Sequence, residues 1–214
     1  MDAFVGKYDG KRNLYYSVNP TRKAMTSKAS KLDIAAIEYL LADLDPKATE
    51  SPEAAKARYL AALETYEPAP TAIIDSGNGV QVLWKLTSPI DLGEPVTVKN
   101  AKGKPERALP TEAAAVVDDV EGRAKAVMST LGSDAGTQNI DRILRLPGTT
   151  NLPNKKKLKD GRVSCPTKMI RFNGATCTLD AFPPVTVTAE KTNSGIIDID
   201  ALPISPRMAR PAAP

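Results

Sequence analysis

The hydrophobic pattern of the first half of the chain is typical of buried strands separated by helices. Runs rich in branched and aromatic residues predict strands at 13–18, 39–44, 71–75 and 80–86. Ser76-Gly77-Asn78-Gly79 joins the last two runs, and Asn-Gly between apolar runs is a strong signal for a β-hairpin. We therefore expect these two strands to be neighbours in one sheet.

Alternation along the strand at 80–86 sorts its side chains onto two faces. The apolar face comprises Val80, Val82, Trp84 and Leu86. Gln81 and Lys85 lie on the opposite face, away from the tryptophan. The pattern thus predicts a core on one side of this strand and polar groups on the other.

Two helices are predicted around these strands. Ser51-Pro52-Glu53 is typical of a helix start, with a serine cap, a proline in the first turn and an acid near the positive end of the dipole. Thr111-Glu112 is predicted to cap a longer helix, whose apolar residues keep helical spacing until Gly132 ends it. The segment 87–110 is interpreted as an exposed excursion containing a small hairpin.

The end of the chain changes in composition. The last core strands are predicted at 163–165 and 168–172, and prolines, serines and threonines dominate from Pro183 onward. We predict one domain over residues 1–184. Residues 185–214 are interpreted as a Pro-rich linker leading to a further domain.

Composition limits the classes of protein to consider. A length of 214 residues with 42% hydrophobic residues suits one sizeable core. No apolar run approaches the roughly 20 residues of a membrane span, and the start lacks a signal-peptide layout. We therefore expect a soluble, cytoplasmic protein without a membrane partner. Cys165 and Cys177 are expected to be reduced, partly buried thiols, since two cysteines alone cannot complete a zinc site.

The chain contains no histidine, which excludes Ser-His-Asp and Cys-His hydrolases and histidine-ligated metal sites. Any acid–base or metal chemistry must then rest mainly on carboxylates. The net charge of +4 leans toward a polyanionic partner. No Gly-x-x-x-x-Gly-Lys-Ser/Thr loop is present, so the sequence encodes no ATP-driven motor of that type.

Asp43 and Asp45 follow an apolar run and are the first candidates for chemistry. In a strand both would point the same way, with Leu44 turned into the core. Two adjacent carboxylates raise each other's pKa unless a cation lies between them, and such acidic pairs suit Mg²⁺ or Mn²⁺. The alternative is a solvated turn, since Pro46 ends the strand directly afterwards.

A second candidate stretch runs from Ile140 to Asn151. Asp141 follows an apolar residue, Arg142 and Arg145 lie three positions apart, and a Pro-Gly turn comes next. The densest basic cluster of the chain then follows and comprises Lys155, Lys156, Lys157, Lys159 and Arg162. Such a cluster is either a solvated loop or, near an acidic metal site, a binding surface for phosphates.

Four motifs of the sequence resemble those of a known family: Tyr16–Pro20, Leu41–Pro46, Ser76–Trp84 and Asp141–Asn151. Over about residues 13–184 the chain is similar to the primase-polymerase branch of the archaeo-eukaryotic primase superfamily, in the form that phages, plasmids and other mobile elements place ahead of a helicase. The resemblance implies an α+β fold. It pairs an α/β module with an RRM-like module, and the active site lies in the groove between them.

The resemblance also implies roles for individual residues. Family members use three acidic metal ligands, which fall here on Asp43, Asp45 and Asp141, to make primers or extend DNA by a two-metal mechanism with Mg²⁺ or Mn²⁺. The residues expected to bind the nucleotide are Ser76, Gln81, Arg142 and Arg145, with Lys85 a weaker candidate. The basic cluster at 155–162 would hold the template backbone. The implied partners are a single-stranded DNA template, a primer, nucleoside triphosphates and, in a longer protein of a bacterial host cell, a helicase domain.

One position departs from the family pattern. The second motif of the superfamily usually ends in a histidine that touches the phosphates of the nucleotide, and Gln81 stands there in this chain. Glutamine donates a hydrogen bond but carries no positive charge. We therefore expect altered nucleotide contact. The alternatives are a replication-initiation module that binds nucleic acid without polymerising and, less favoured, a two-metal nuclease.

Overall fold

The computed structural model describes residues 2–159 and 162–184, so the predicted linker at 185–214 lies outside the described residues. Four α-helices are present in the described part: α1 (Asp2–Tyr8), α2 (Pro52–Glu64), α3 (Thr111–Thr130) and α4 (Lys155–Lys159). The strands are β1 (Tyr15–Ser17), β2 (Ala36–Leu44), β3 (Ala72–Asp75), β4 (Val80–Asp91), β5 (Val96–Lys99), β6 (Pro105–Ala108), β7 (Ile143–Arg145), β8 (Thr150–Asn151), β9 (Cys165–Pro166), β10 (Lys168–Phe172) and β11 (Thr176–Cys177). This mixture of helices and mainly antiparallel strands confirms the predicted α+β class.

A five-stranded sheet organises the domain around β4. Strand β4 pairs antiparallel with β2 and β3 and parallel with β11, while β10 pairs with β3. The predicted hairpin is present, with the turn at 76–79 closed by a hydrogen bond from the Ser76 amide to the Gly79 carbonyl at 3.0 Å. This register sets Asp43 on β2 directly opposite Gln81 on β4.

One face of the sheet carries the main core, as predicted from the alternation. Helices α2 and α3 pack against it and bury Tyr59, Leu63 and Met128 among the strand side chains. Trp84 lies between the rings of Tyr66 and Phe182, with centroid separations of 5.6 and 5.8 Å. Aromatic side chains of this size supply much of the buried apolar area of a small domain.

The other face of the sheet is covered by a two-stranded sheet formed by β1 and β7. Tyr15 pairs with Arg145 and Ser17 with Ile143 in this sheet. Leu144 packs with the Leu41 and Leu83 side chains of the main sheet. The strand and turn that carry Arg142 and Arg145 are thereby held above the polar face of β4.

Several short elements differ from the sequence predictions. Helix α1 was not predicted, because it buries no residue and its short sequence contains a glycine. Strands β7 and β8 have three and two residues, and they form through pairing with distant segments rather than through local pattern. The hairpin predicted within 87–110 is present as β5 and β6, with exposed side chains. None of the described helices has the length and apolar character needed to cross a membrane.

Ser51 caps α2 by accepting a hydrogen bond from the Ala54 amide at 3.2 Å, as predicted. At the end of α3, Gly132 adopts a positive φ of 71°, which favours glycine at this position. Cys165 and Cys177 are both free and half-buried. The predicted cap of α2 and the free thiols are thus confirmed, whereas Thr111, predicted to cap α3, is its first helical residue, after the N-cap Pro110.

Asn19 ties three parts of the fold together and is 1% exposed. Its Oδ1 accepts hydrogen bonds from the Glu38 and Tyr39 amides, at the irregularity in the pairing of β2 with β4. Its Nδ2 donates to the Ile140 carbonyl at 3.0 Å. The turn before Arg142 is therefore anchored to the strand that carries Asp43.

We predict that Asn19→Ala destabilises the domain by about 2–4 kcal/mol, because two partly buried backbone donors lose their acceptor and the buried Asn19 side chain is removed. Asn100→Ala is the matched control, since Asn100 also makes three side-chain hydrogen bonds, but at the exposed hairpin. Water replaces those bonds, so the control is expected to lose less than about 1 kcal/mol. Urea denaturation measures both, and equal losses would contradict the structural role of Asn19.

Candidate functional site

Asp43 and Asp45 line one cavity of about 220 Å³ at the end of β2. Leu44 between them is 0% exposed, so the two acids lie on the same side of the strand, as predicted. The hairpin turn packs directly against this strand end: a Cβ added at Gly79 would collide with the Leu44 carbonyl. The Tyr59 hydroxyl donates to the Asp45 carbonyl at 2.8 Å and holds the chain just after the strand.

Asp43 is the most contacted acid of the cavity. Arg142 Nη2 donates to its Oδ2 at 2.7 Å, and Gln81 Nε2 donates to its Oδ1 at 3.3 Å. The Arg142 and Asp43 side chains are both largely buried, which strengthens their attraction compared with a surface pair. The Arg142 guanidinium thus neutralises the charge of Asp43, as a bound cation would.

Asp45 has no such partner among the hydrogen bonds of the described residues. Asp45 keeps an exposed surface, and partial removal of water at the cavity wall raises its pKa above the ordinary value, with a further rise from the charge of Asp43. Lys157, Arg162 and Arg142 act in the opposite direction without reversing the shift. Among the described residues, Asp45 is therefore the acid of the cavity whose carboxylate has no direct partner and can contact a cation.

Three basic residues line the same cavity: Arg142, Arg145 and Lys157. Arg145 Nη1 donates to Asn13 Oδ1 at 2.6 Å, and its guanidinium lies 5.1 Å from the centre of the Tyr15 ring. These contacts fix the arginine at the cavity wall. Two acids beside three cations form a site for a cation and an anionic group together.

Ser76 lines the cavity, but its side chain already serves the hairpin turn. Its Oγ accepts a hydrogen bond from the Gly79 amide at 3.2 Å. Its carbonyl accepts from Asn151 Nδ2 at 2.7 Å, which attaches β8 to the hairpin. Ser76 is thus positioned to contact a ligand while it shapes the turn.

Asp141 does not line the cavity. A turn closed by the hydrogen bond from the Arg142 amide to the Asn139 carbonyl directs Arg142, rather than its neighbour, toward Asp43. The carboxylate of Asp141 lies 3.4 Å from Lys28 Nζ. Across residues 2–159 and 162–184, no group of three or more Asp, Glu, Cys or His side chains is arranged to hold a metal ion. The expected convergence of three aspartates is therefore not seen, and the catalytic role of Asp141 stays a prediction.

The basic cluster is only partly at the cavity. Lys157 lines it, whereas Lys155, Lys156 and Lys159 are exposed on the short helix α4. Arg162 lines a larger neighbouring cavity of about 650 Å³, which shares Asn78 with the first. Lys85 is exposed and lies outside both cavities. The cluster thus borders the site without filling it.

Four lining residues were not predicted from the sequence: Tyr15, Asn78, Ile143 and Asn151. All four lie within segments that were predicted as a strand or a turn or that belong to a family motif. The sequence therefore identified the segments that form the cavity, but not these four residues as part of it. The exposure of Tyr15 and its contact with Arg145 arise only from the pairing of β1 with β7, so no sequence signal could have found its role.

Among the described residues, three buried side-chain polar atoms lack a hydrogen-bond partner, and two of them belong to cavity residues. These are Gln81 Oε1 and Arg142 Nε. Both residues also contact Asp43. Carboxylate and amide oxygens are the ligands that Mg²⁺ and Mn²⁺ prefer, so the donors present fit one such cation.

Comparison with known proteins supports the fold. No protein-family model and no curated protein matches the chain. Among solved structures, the AEP domain of the primase-polymerase PrimPol of cyanophage S-2L is similar, with a TM-score of 0.50 and 15% sequence identity. The similarity covers 86% of this chain and 77% of that chain. The chain therefore shares the fold of that domain.

We predict that Asp43→Asn and Asp45→Asn change stability in opposite directions when divalent cations are removed with EDTA at pH 7. Asp43→Asn weakens the buried pair with Arg142 and is expected to destabilise the domain by about 1–3 kcal/mol. Folding removes part of the water around the Asp45 carboxylate and brings it close to the charge of Asp43. Asp45→Asn removes this charge, so it is expected to stabilise the domain. Urea denaturation at constant ionic strength measures the stability of both variants. Destabilisation by Asp45→Asn would contradict the raised pKa of Asp45.

Proposed function

We propose that this chain is a primase-polymerase of a mobile genetic element, which joins nucleotides on a single-stranded DNA template with Mg²⁺ or Mn²⁺. The observation that carries the proposal is the shared cavity of Asp43, Asp45, Arg142, Arg145 and Lys157 on a primase-type fold. Acids and cations side by side suit a nucleoside triphosphate that arrives with its metal ion. A primer and, in a longer protein, a helicase domain belong to the same proposal.

The two aspartates would hold the cation. Their side chains face the same cavity, and the repulsion between them is relieved when a divalent ion is shared. When bound, the cation would neutralise charge on the triphosphate and favour attack of the primer 3′-hydroxyl on the α-phosphate, with loss of the hydroxyl proton and departure of pyrophosphate. The protein then has mainly to position the reacting groups, which is consistent with a chain that has no histidine.

The arginines would bind the phosphates. Arg145 is already held by Asn13 and the Tyr15 ring, so little side-chain freedom remains to be lost when an anion arrives. Arg142 has a second task, because it neutralises Asp43 before a cation does. Its guanidinium would be released toward the triphosphate when the cation takes over Asp43.

The exposed lysines of α4 and Arg162 would contact the template or primer backbone. Lys157 of the same helix lines the cavity, and Arg162 lines the neighbouring cavity together with Gly77 and Asn78 of the hairpin turn. Backbone contacts of this kind add affinity without sequence preference and weaken with salt. Lys85 is too far from this border to be part of the proposal.

A second candidate function is a replication-initiation module that binds nucleic acid without polymerising. The observation that favours it is the arrangement of the acids: Asp43 is paired with Arg142, and Asp141 with Lys28. Such a module would retain the fold and the basic border but hold no catalytic cation.

A synthesis assay distinguishes these two functions. Wild-type protein, given a primed single-stranded template, nucleotides and Mn²⁺ or Mg²⁺, is expected to give template-dependent products. Asp43→Ala/Asp45→Ala is expected to lose synthesis by at least about a thousand-fold while still binding DNA, because it lacks both carboxylates that hold the cation. DNA binding without any product from the wild type would instead support the initiation module. Separate ribo- and deoxyribonucleotide pools identify the substrate in the same experiment.

We also predict that Arg145→Ala raises the KM for the nucleotide about ten- to a hundred-fold, which corresponds to the loss of one hydrogen bond to a charged group. Arg107→Ala is the control, since Arg107 lies on the exposed strand β6. Steady-state extension kinetics measure both variants. An unchanged KM for Arg145→Ala would remove this arginine from the nucleotide site.

A further inference from the structure

Gln81 presents an unusual atom at the centre of the site. The residue is 4% exposed and lines the cavity with Asp43 and Asp45. Its Oε1 is buried and accepts no hydrogen bond from the described residues. A buried carbonyl oxygen without a donor is unfavourable, and a cation bound beside it would satisfy it.

The orientation of the amide follows from its neighbour. Gln81 Nε2 donates to Asp43 Oδ1 at 3.3 Å, and an ionised carboxylate can only accept. Exchanging the amide nitrogen and oxygen would set two acceptors against each other. The unpaired atom of Gln81 is therefore its amide oxygen.

The sheet register brings this oxygen to the acids. Asp43 and Gln81 are directly opposite each other on β2 and β4, where paired side chains share one face at about 5 Å between Cβ atoms. Asp45 lies two positions beyond Asp43, on the same face. The side chains of Asp43, Asp45 and Gln81 thus line one cavity on the same face of the sheet.

We propose that Gln81 Oε1 is a direct ligand of the divalent cation, together with Asp43 and Asp45. This inference rests on the proposed function, because it concerns the same cation. A neutral amide oxygen is a suitable ligand for Mg²⁺ or Mn²⁺ and leaves the charge balanced, since two carboxylates already match a divalent ion. The set needs no third carboxylate, which accounts for Asp141 lying with Lys28 instead.

The test is direct Mn²⁺ binding, measured by electron paramagnetic resonance titration of the whole chain without nucleotide or DNA. Gln81→Ala and Gln81→Met are expected to weaken binding about ten-fold or more, because both remove the oxygen ligand. Gln81→Glu is expected to bind Mn²⁺ more tightly than wild type, a gain that a folding defect cannot produce. Asp118→Asn, at an exposed position of α3, is the matched carboxylate control and is expected to bind as the wild type does.

The outcomes distinguish the inference from the function on which it rests. Loss of binding in Asp43→Asn/Asp45→Asn with unchanged binding in Gln81→Ala and Gln81→Met overturns the inference and leaves the proposed function standing. Loss of binding in Asp141→Asn with none in the Gln81 variants overturns it in favour of three aspartates. A wild type that binds no Mn²⁺ overturns both. Circular dichroism and urea denaturation of each variant confirm that comparisons are made between folded proteins.

Discussion

The central constraint on the site is that Asp43 and Asp45 repel each other while the buried Leu44 holds both on the same side of a strand end. Leu44 cannot turn outward without leaving the core, so Asp43 and Asp45 cannot turn apart. Their charges must be balanced by other parts of the chain or by a bound cation. The surrounding elements can be understood as the means by which this balance is reached.

The balance comes from segments distant in sequence. The β1–β7 sheet covers the polar face of the main sheet and carries two arginines to the cavity, one of which pairs with Asp43. Asn19 fixes the preceding turn through Ile140, and Asn151 fixes the hairpin through Ser76. Each anchor is an amide that joins backbone groups of different segments. Charge compensation at the site is therefore linked to the stability of the domain.

Much of the fold followed from local patterns. Alternation identified the two faces of β4, the Asn-Gly pair identified the hairpin, and Ser51 and Gly132 marked helix ends, since these signals act over a few residues. The shared direction of Asp43 and Asp45 followed from strand geometry alone. Asp141 shows the limit: its neighbour Arg142 faces the cavity because of a turn that long-range anchors stabilise, and no local pattern distinguishes the two orientations. Strands β7 and β8 were missed for the same reason, because their partners lie far away along the chain.

The central claim is that Asp43 and Asp45 together bind the divalent cation of a nucleotidyltransferase site. The most direct measurement is anomalous diffraction at the manganese edge from crystals grown with Mn²⁺ and a non-hydrolysable nucleoside triphosphate. The account predicts a manganese peak in contact with both carboxylates, with the Arg142 guanidinium displaced from Asp43 toward the phosphates. A structure with nucleotide bound elsewhere, no manganese between the two acids and the pair of Arg142 with Asp43 intact would contradict it.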